Sequence, residues 1–249
     1  MTGPGTGGGI DPTGALVARA ADRLRPGATA VVAVAGPVAV GKSTLAGLLA
    51  GALRDRGLGA EVVSTDGFLL PGADLAARGL TLRKGFPESY DVTALRAFCA
   101  TVRDTVGRVD PVGVPVYSHE IYDIVPGEFR RVPPTDVVVL EGLNALSATG
   151  GCTDLGIYVD APLPVVEQWF VERFLRLVAD ARTDATSFYA RFTGLTPAAQ
   201  EEMARSVYRD VNLPNLTEHI APSRALAEVV VHKGADHSWS AIVDRGAAP

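Results

Sequence analysis

Residues 29–44 read TAVVAVAGPVAVGKST, and this stretch constrains the fold more than any other. Thr29 to Ala35 is a continuous apolar, β-branched run, the pattern of a strand buried on both faces of a parallel sheet. Directly behind it comes Gly36-Pro-Val38-Ala39-Val40-Gly41-Lys42-Ser43-Thr44, which fits G-x-x-x-x-G-K-[ST], and a helical pattern follows from Lys42 to Arg56. Strand, glycine loop and helix start are the context this loop needs to cradle phosphate. The glycines let backbone N–H groups from Gly36 through Thr44 point inward, with the positive helix end behind them. Lys42 would reach the β- and γ-phosphates of ATP, and the Ser43 hydroxyl would ligate Mg²⁺. With 27 glycines but only three lysines (Lys42, Lys84, Lys233) in 249 residues, the expected number of chance matches is about 0.004.

The loop alone does not separate kinases from other nucleotide hydrolases, but two acids narrow the reading. Asp66 follows the strand run Glu61–Ser64, and Glu141 follows the run Asp136–Leu140. Ligands of open α/β sheets bind beyond the carboxyl ends of the strands, so both acids converge on the phosphate loop. One can serve the metal; the other can take the proton of an accepting hydroxyl. The NKxD signature of guanine recognition is missing from the sequence.

Further strand runs at Gly156–Val159 and Ala227–Val231 bring the count to five. Helical patterns at Leu16–Leu24, Val92–Val106, Leu163–Ala181 and Pro197–Asn212 alternate with them. The alternation predicts an α/β fold with a mainly parallel five-stranded sheet flanked by helices. Residues 1–14 hold six glycines and two prolines without apolar periodicity and are expected to be disordered. Residues 15–249 are expected to form a single domain.

Composition excludes other classes. A net charge of −5 and a pI near 5.4 give no footprint for nucleic acid. No apolar run approaches the roughly 20 residues of a membrane span. Two cysteines, Cys99 and Cys152, are too few for a disulfide framework, so a cytoplasmic protein is expected. The pair Arg130-Arg131 reads as a solvated loop.

Six more segments carry a family resemblance: STDGFL from Ser64, KGFPESYD from Lys84, PVYSHEIYD from Pro115, LEGLN from Leu140, VNLPNL from Val211 and HKGADH from His232. Together with the phosphate loop they resemble the type I (bacterial) pantothenate kinases, P-loop kinases of the uridine kinase and phosphoribulokinase group. The resemblance implies a P-loop kinase fold and transfer of the ATP γ-phosphoryl group to the primary hydroxyl of pantothenate. Asp66 then matches the general base and Glu141 the acid near magnesium. Arg173 matches a group that neutralises charge on the transferred phosphoryl. Tyr117, His119, Tyr122, Phe170, Phe174 and Asn212 match the acceptor pocket, and Lys233 and His237 the segment flanking adenine. A homodimer is also implied.

The sequence departs from the family in places. Only 28 residues precede Thr29, which implies that part of the adenine contact is absent or replaced. Phe170 stands where the family has a tyrosine whose hydroxyl bonds the acceptor. Leu177, Phe188, Tyr189 and Phe192 redraw the aromatic wall, and Gly47 replaces an arginine that contacts coenzyme A in regulated members. Phosphorylation of a different small hydroxylated acceptor is therefore the alternative reading.

Overall fold

A computed structural model describes residues 10–104 and 109–245. The expected parallel strands are all present: β1 (Ala30–Ala35), β2 (Ala60–Ser64), β5 (Val137–Glu141), β6 (Leu155–Asp160) and β7 (Val229–Lys233). Two more, β3 (Val112–Ser118) and β4 (Asp123–Val132), form a separate antiparallel pair. The sheet order is β2-β5-β1-β6-β7-β8, so the expected five strands become six. The sixth, β8 (Trp239–Asp244), runs antiparallel to β7 at the edge. It gave no apolar run because an edge strand is half solvated and alternates with polar residues. The β3–β4 pair was hidden for a related reason: Gly113, Pro115 and Gly127 interrupt it, and most of its side chains are partly exposed. Arg130 and Arg131 accordingly lie in a strand, where Arg130 pairs with Glu61.

Among the described residues, seven α-helices of at least four residues accompany these strands: α1 (Thr13–Ala21), α2 (Lys42–Arg54), α3 (Gly72–Ala77), α4 (Val92–Arg103), α5 (Ala145–Ala148), α6 (Leu163–Asp180) and α7 (Pro197–Val207). The expected disorder of residues 1–14 falls for residues 1–9 outside the described residues, but Thr13 and Gly14 already belong to α1. The end of the helix expected to reach Val106 also lies outside them. The pattern read as one helix to Asn212 leaves α-geometry after Val207, where Tyr208–Asn212 forms a wider π-turn.

Period-two alternation sorts the central strand. Ala30, Val32 and Val34 of β1 pack with α1, α2 and the start of α6, including Trp169. On the opposite face Val31 meets α4, while Ala33 and Ala35 meet α5 and the segment around Leu216 and Ile220. Every residue of β1 is buried, and each such valine contributes roughly 1.5–3 kcal/mol by leaving water. Beyond the sheet, α6 continues into an aromatic cluster in which Phe174 and Val178 pack against Tyr189 and against Ala204 of α7.

Candidate active site

Because β1 lies beside β5, and β5 beside β2, the ends of three neighbouring strands present the phosphate loop, Glu141 and Asp66 along one edge. Glu141 is level with Val34 on one side and with Ser64 on the other. The loop is shaped by two glycines. A Cβ on Gly36 would stand 2.4 Å from the Val159 carbonyl oxygen, so no side chain fits there. Gly41 precedes α2 with φ +99°, a left-handed conformation natural to glycine. Ala39 also sits at φ +60°, strain of about 1–2 kcal/mol held by the surrounding loop. The N-terminal turn of α2 faces the space this loop encloses.

Lys42 is buried and donates from Nζ to the Pro37 carbonyl at 2.8 Å, closing the loop on itself. Burial pushes its ammonium down to about 8; Glu141 and Asp66 work against that, and Arg173 adds to it. The two carboxyls show the converse. Burial raises Glu141, tempered first by Lys42. Burial raises Asp66 as well, opposed by Lys42, then Arg173, then Lys84. Three cations and two carboxyls therefore share one poorly solvated volume, the arrangement that keeps a base poised and a polyanion neutralised.

The β3–β4 pair folds over this edge. Gly67 lets it close in, since a Cβ there would meet the Pro115 carbonyl oxygen at 2.5 Å. A cavity of about 220 Å³ opens between them and is lined by Ser64, Asp66, Tyr117, His119 and Glu141 among others. The Tyr117 and His119 rings meet edge-on at 5.2 Å. Tyr122, at φ +57°, lies 4.6 Å from the Phe188 ring. His119 is pushed down to about 4 by burial first and by Arg173 second, which leaves it neutral at pH 7.

The remaining expected residues are placed differently. Phe170 packs against Tyr208 at 5.8 Å. Phe174 is buried against Tyr189 and Phe192 rather than facing an open cavity. Asn212 turns its amide back to the Val207 carbonyl at 3.3 Å. Its neighbour Asn215, with Asn144, instead donates to the Gly85 carbonyl. Lys233 lies under the phosphate loop, and His237 stacks on Trp169 at 4.5 Å.

Three side chains to which the sequence assigned no site role also contribute. Lys84 donates to the Tyr122 carbonyl, lies 3.7 Å from Asp123 and stands 4.6 Å from the Tyr122 ring centre. It thereby ties the KGFPESYD loop to the cavity wall. Trp169 and Trp239 flank Lys233; that they are the chain's two tryptophans was the available signal.

Among the described residues no cluster of three or more His, Cys, Asp or Glu side chains forms a cation cage. Magnesium keeps most of its waters and takes one or two protein oxygens beside substrate phosphates. Ser43 and the buried Glu141 are the two oxygens offered here, and the Ser43 hydroxyl is among the groups that hold down the Glu141 carboxyl.

Fold and site together define an ATP-dependent kinase of small molecules built on a phosphate-binding loop. No protein-family model matches the chain. Pantothenate kinase of Sorangium cellulosum (strain So ce56) is 44% identical over 223 residues, which span 85% of this chain and 71% of that protein. Pantothenate kinase of Mycolicibacterium smegmatis is 42% identical over 84% of this chain and 68% of its own. The chain belongs to the pantothenate kinase family. A proposed fructose transport system kinase from Silicibacter sp. TM1040 superposes with a TM-score of 0.67 at 27% identity, over 88% of this chain and 94% of that one. D-glycerate 3-kinase from Cryptococcus neoformans var. grubii shares the fold with a TM-score of 0.65 at 15% identity, over 95% of this chain and all of its own. Among the described residues no helix is long and apolar enough to cross a membrane.

Proposed function

We propose that this chain transfers the γ-phosphoryl group of ATP to the primary hydroxyl of pantothenate. The observation that carries the reading is Asp66. It is a carboxyl with a raised pKa, in the field of Lys42 and Arg173, that lines a cavity also walled by Tyr117 and His119. Identity of 42–45% to several pantothenate kinases supports pantothenate over another hydroxylated acceptor.

In this mechanism Asp66 accepts the hydroxyl proton as the acceptor oxygen attacks the γ-phosphorus. The bond from that phosphorus to the β–γ bridging oxygen breaks and ADP departs. Lys42 and Arg173 meet the charge spread over the transferring group. The backbone from Val38 to Thr44 cradles the phosphates at the N-terminus of α2, and His237 lies on the side assigned to adenine. Tyr117, His119 and Tyr122 wall the acceptor, and the edge of Phe170 is assigned to the same pocket; Phe174 and Asn212 are turned away from it. Ser43 and Glu141 would hold magnesium, which when bound neutralises phosphate charge.

ADP release measured with pantothenate tests the reading, and turnover no faster than hydrolysis of ATP by water sinks it. A panel of other alcohols, nucleosides and hydroxy acids in the same assay must give lower kcat/KM. The homodimer rests on the family resemblance and is checked by light scattering.

A further inference from the structure

Lys233 ends β7 where the pairing with β8 slips by one residue, between His232 and Lys233. A register slip of this kind re-aims a side chain, and here it turns the lysine under the phosphate loop. Its Nζ donates to the Val40 carbonyl at 3.1 Å. The same nitrogen would stand 2.6 Å from a Cβ on Gly41. Trp169 and Trp239 hold it between them, with ring centres at 4.8 and 5.3 Å. Lys233 is 8% exposed, and among the described residues no carboxylate pairs with it. A desolvated cation without a counter-ion is costly, and two indole faces and one carbonyl are what compensate it here.

We infer that Lys233 is a positioning residue that braces the phosphate loop from beneath. Through the Val40 carbonyl it fixes the backbone immediately before Gly41 and Lys42, so the loop is shaped before nucleotide arrives. The inference rests on the reading of this loop as the ATP site. It adds that a side chain from a strand two places away in the sheet sets the loop's geometry. It also supplies a reason for Gly41 beyond its φ, since any side chain there would strike the ammonium.

The test compares Lys233→Met and Lys233→Arg with the wild-type protein by amide hydrogen exchange and by nucleotide binding. Without nucleotide, the amides of Val40, Gly41 and Lys42 should exchange about tenfold faster in Lys233→Met, while those of β5 stay protected. The KM for ATP should rise about tenfold with kcat changed less than threefold. Lys233→Arg should not rescue either measure, because the space against Gly41 and the two indoles does not admit a guanidinium. Unchanged exchange in the free protein with weakened ATP binding would mean that Lys233 touches phosphate directly, and overturns the brace. Full rescue by arginine overturns it too. Exchange and ATP binding need no acceptor, so failure of the pantothenate assay leaves this test standing, and failure here leaves that reading standing.

Discussion

The Nε2 atom of His119 lies 3.9 Å from Oδ2 of Asp66, close enough to share a cavity and too far for a hydrogen bond. With His119 pushed down to about 4, the ring that faces Asp66 is uncharged at pH 7. The ring stands beside the base without contributing charge.

The acid side of the pH–rate profile should therefore belong to Asp66. Its carboxyl is raised by burial, so activity is lost as pH falls through a midpoint above the ordinary carboxylate range near 4. His119→Gln should leave that midpoint within about half a unit. A shift larger than that in kcat/KM against pH would transfer the limb to the histidine.

The alkaline side should belong to Lys42 in the free enzyme. With its ammonium pushed down to about 8, kcat/KM for ATP should fall above that pH as the charge is lost. The limb in kcat should lie higher, because bound phosphates favour the protonated lysine. Coincident limbs in the two profiles would refute this.

Asp66→Asn should lower turnover by roughly 10²–10⁴-fold while ATP affinity changes less than about threefold. It should also stabilise the fold at pH 7. A carboxyl raised by burial makes the native state hold more protons than the unfolded one, so stability drops as pH rises from near 4 through the raised value. An uncharged amide escapes that loss. A gain of about 1 kcal/mol would raise Tm by roughly 2–4 °C, which calorimetry reads directly.

Phe170→Tyr should lower the KM for pantothenate by up to about tenfold, the worth of one hydrogen bond, with kcat within about twofold. The ring packs at 5.8 Å from Tyr208. An unchanged KM would show that the edge of this ring does not reach the acceptor.

Gly142→Ala should be among the most damaging single changes at the site. A Cβ there would come within 1.7 Å of Thr65 Oγ1, directly before Asp66 and directly after Glu141. Overpacking of this kind destabilises by about 1–3 kcal/mol, and here kcat should fall with it because both carboxyls are displaced. Chemical denaturation and kinetics on the same preparation check the pair of effects.

What the sequence disclosed follows the strength of its physical signals. The buried strand β1, the loop to Thr44 and the acids Asp66 and Glu141 were legible because a doubly buried strand leaves an unbroken apolar run and phosphate binding demands glycine and lysine at set spacing. The wall made by β3 and β4 was known only as a set of residues, since Pro115 and Gly113 break the strand pattern. The burial of Phe174 and the inward turn of Asn212 were not legible at all. Those depend on how the π-turn after Val207 and the segment from Phe188 to Phe192 close over α6, a tertiary outcome with no local marker.

The backbone N–H of Ile10 donates to the Trp239 carbonyl at 2.8 Å, and Trp239 is paired with Lys233 across β7 and β8. The leader into α1 is thus stitched to the strand that carries one wall of the Lys233 slot. Tension applied ahead of residue 10 would pass from Trp239 across to Lys233 and on to Val40 of the nucleotide loop, thirty residues away in sequence but only three pairings away in the fold. For anyone tethering or tagging this protein, the N-terminal side is mechanically the nucleotide side.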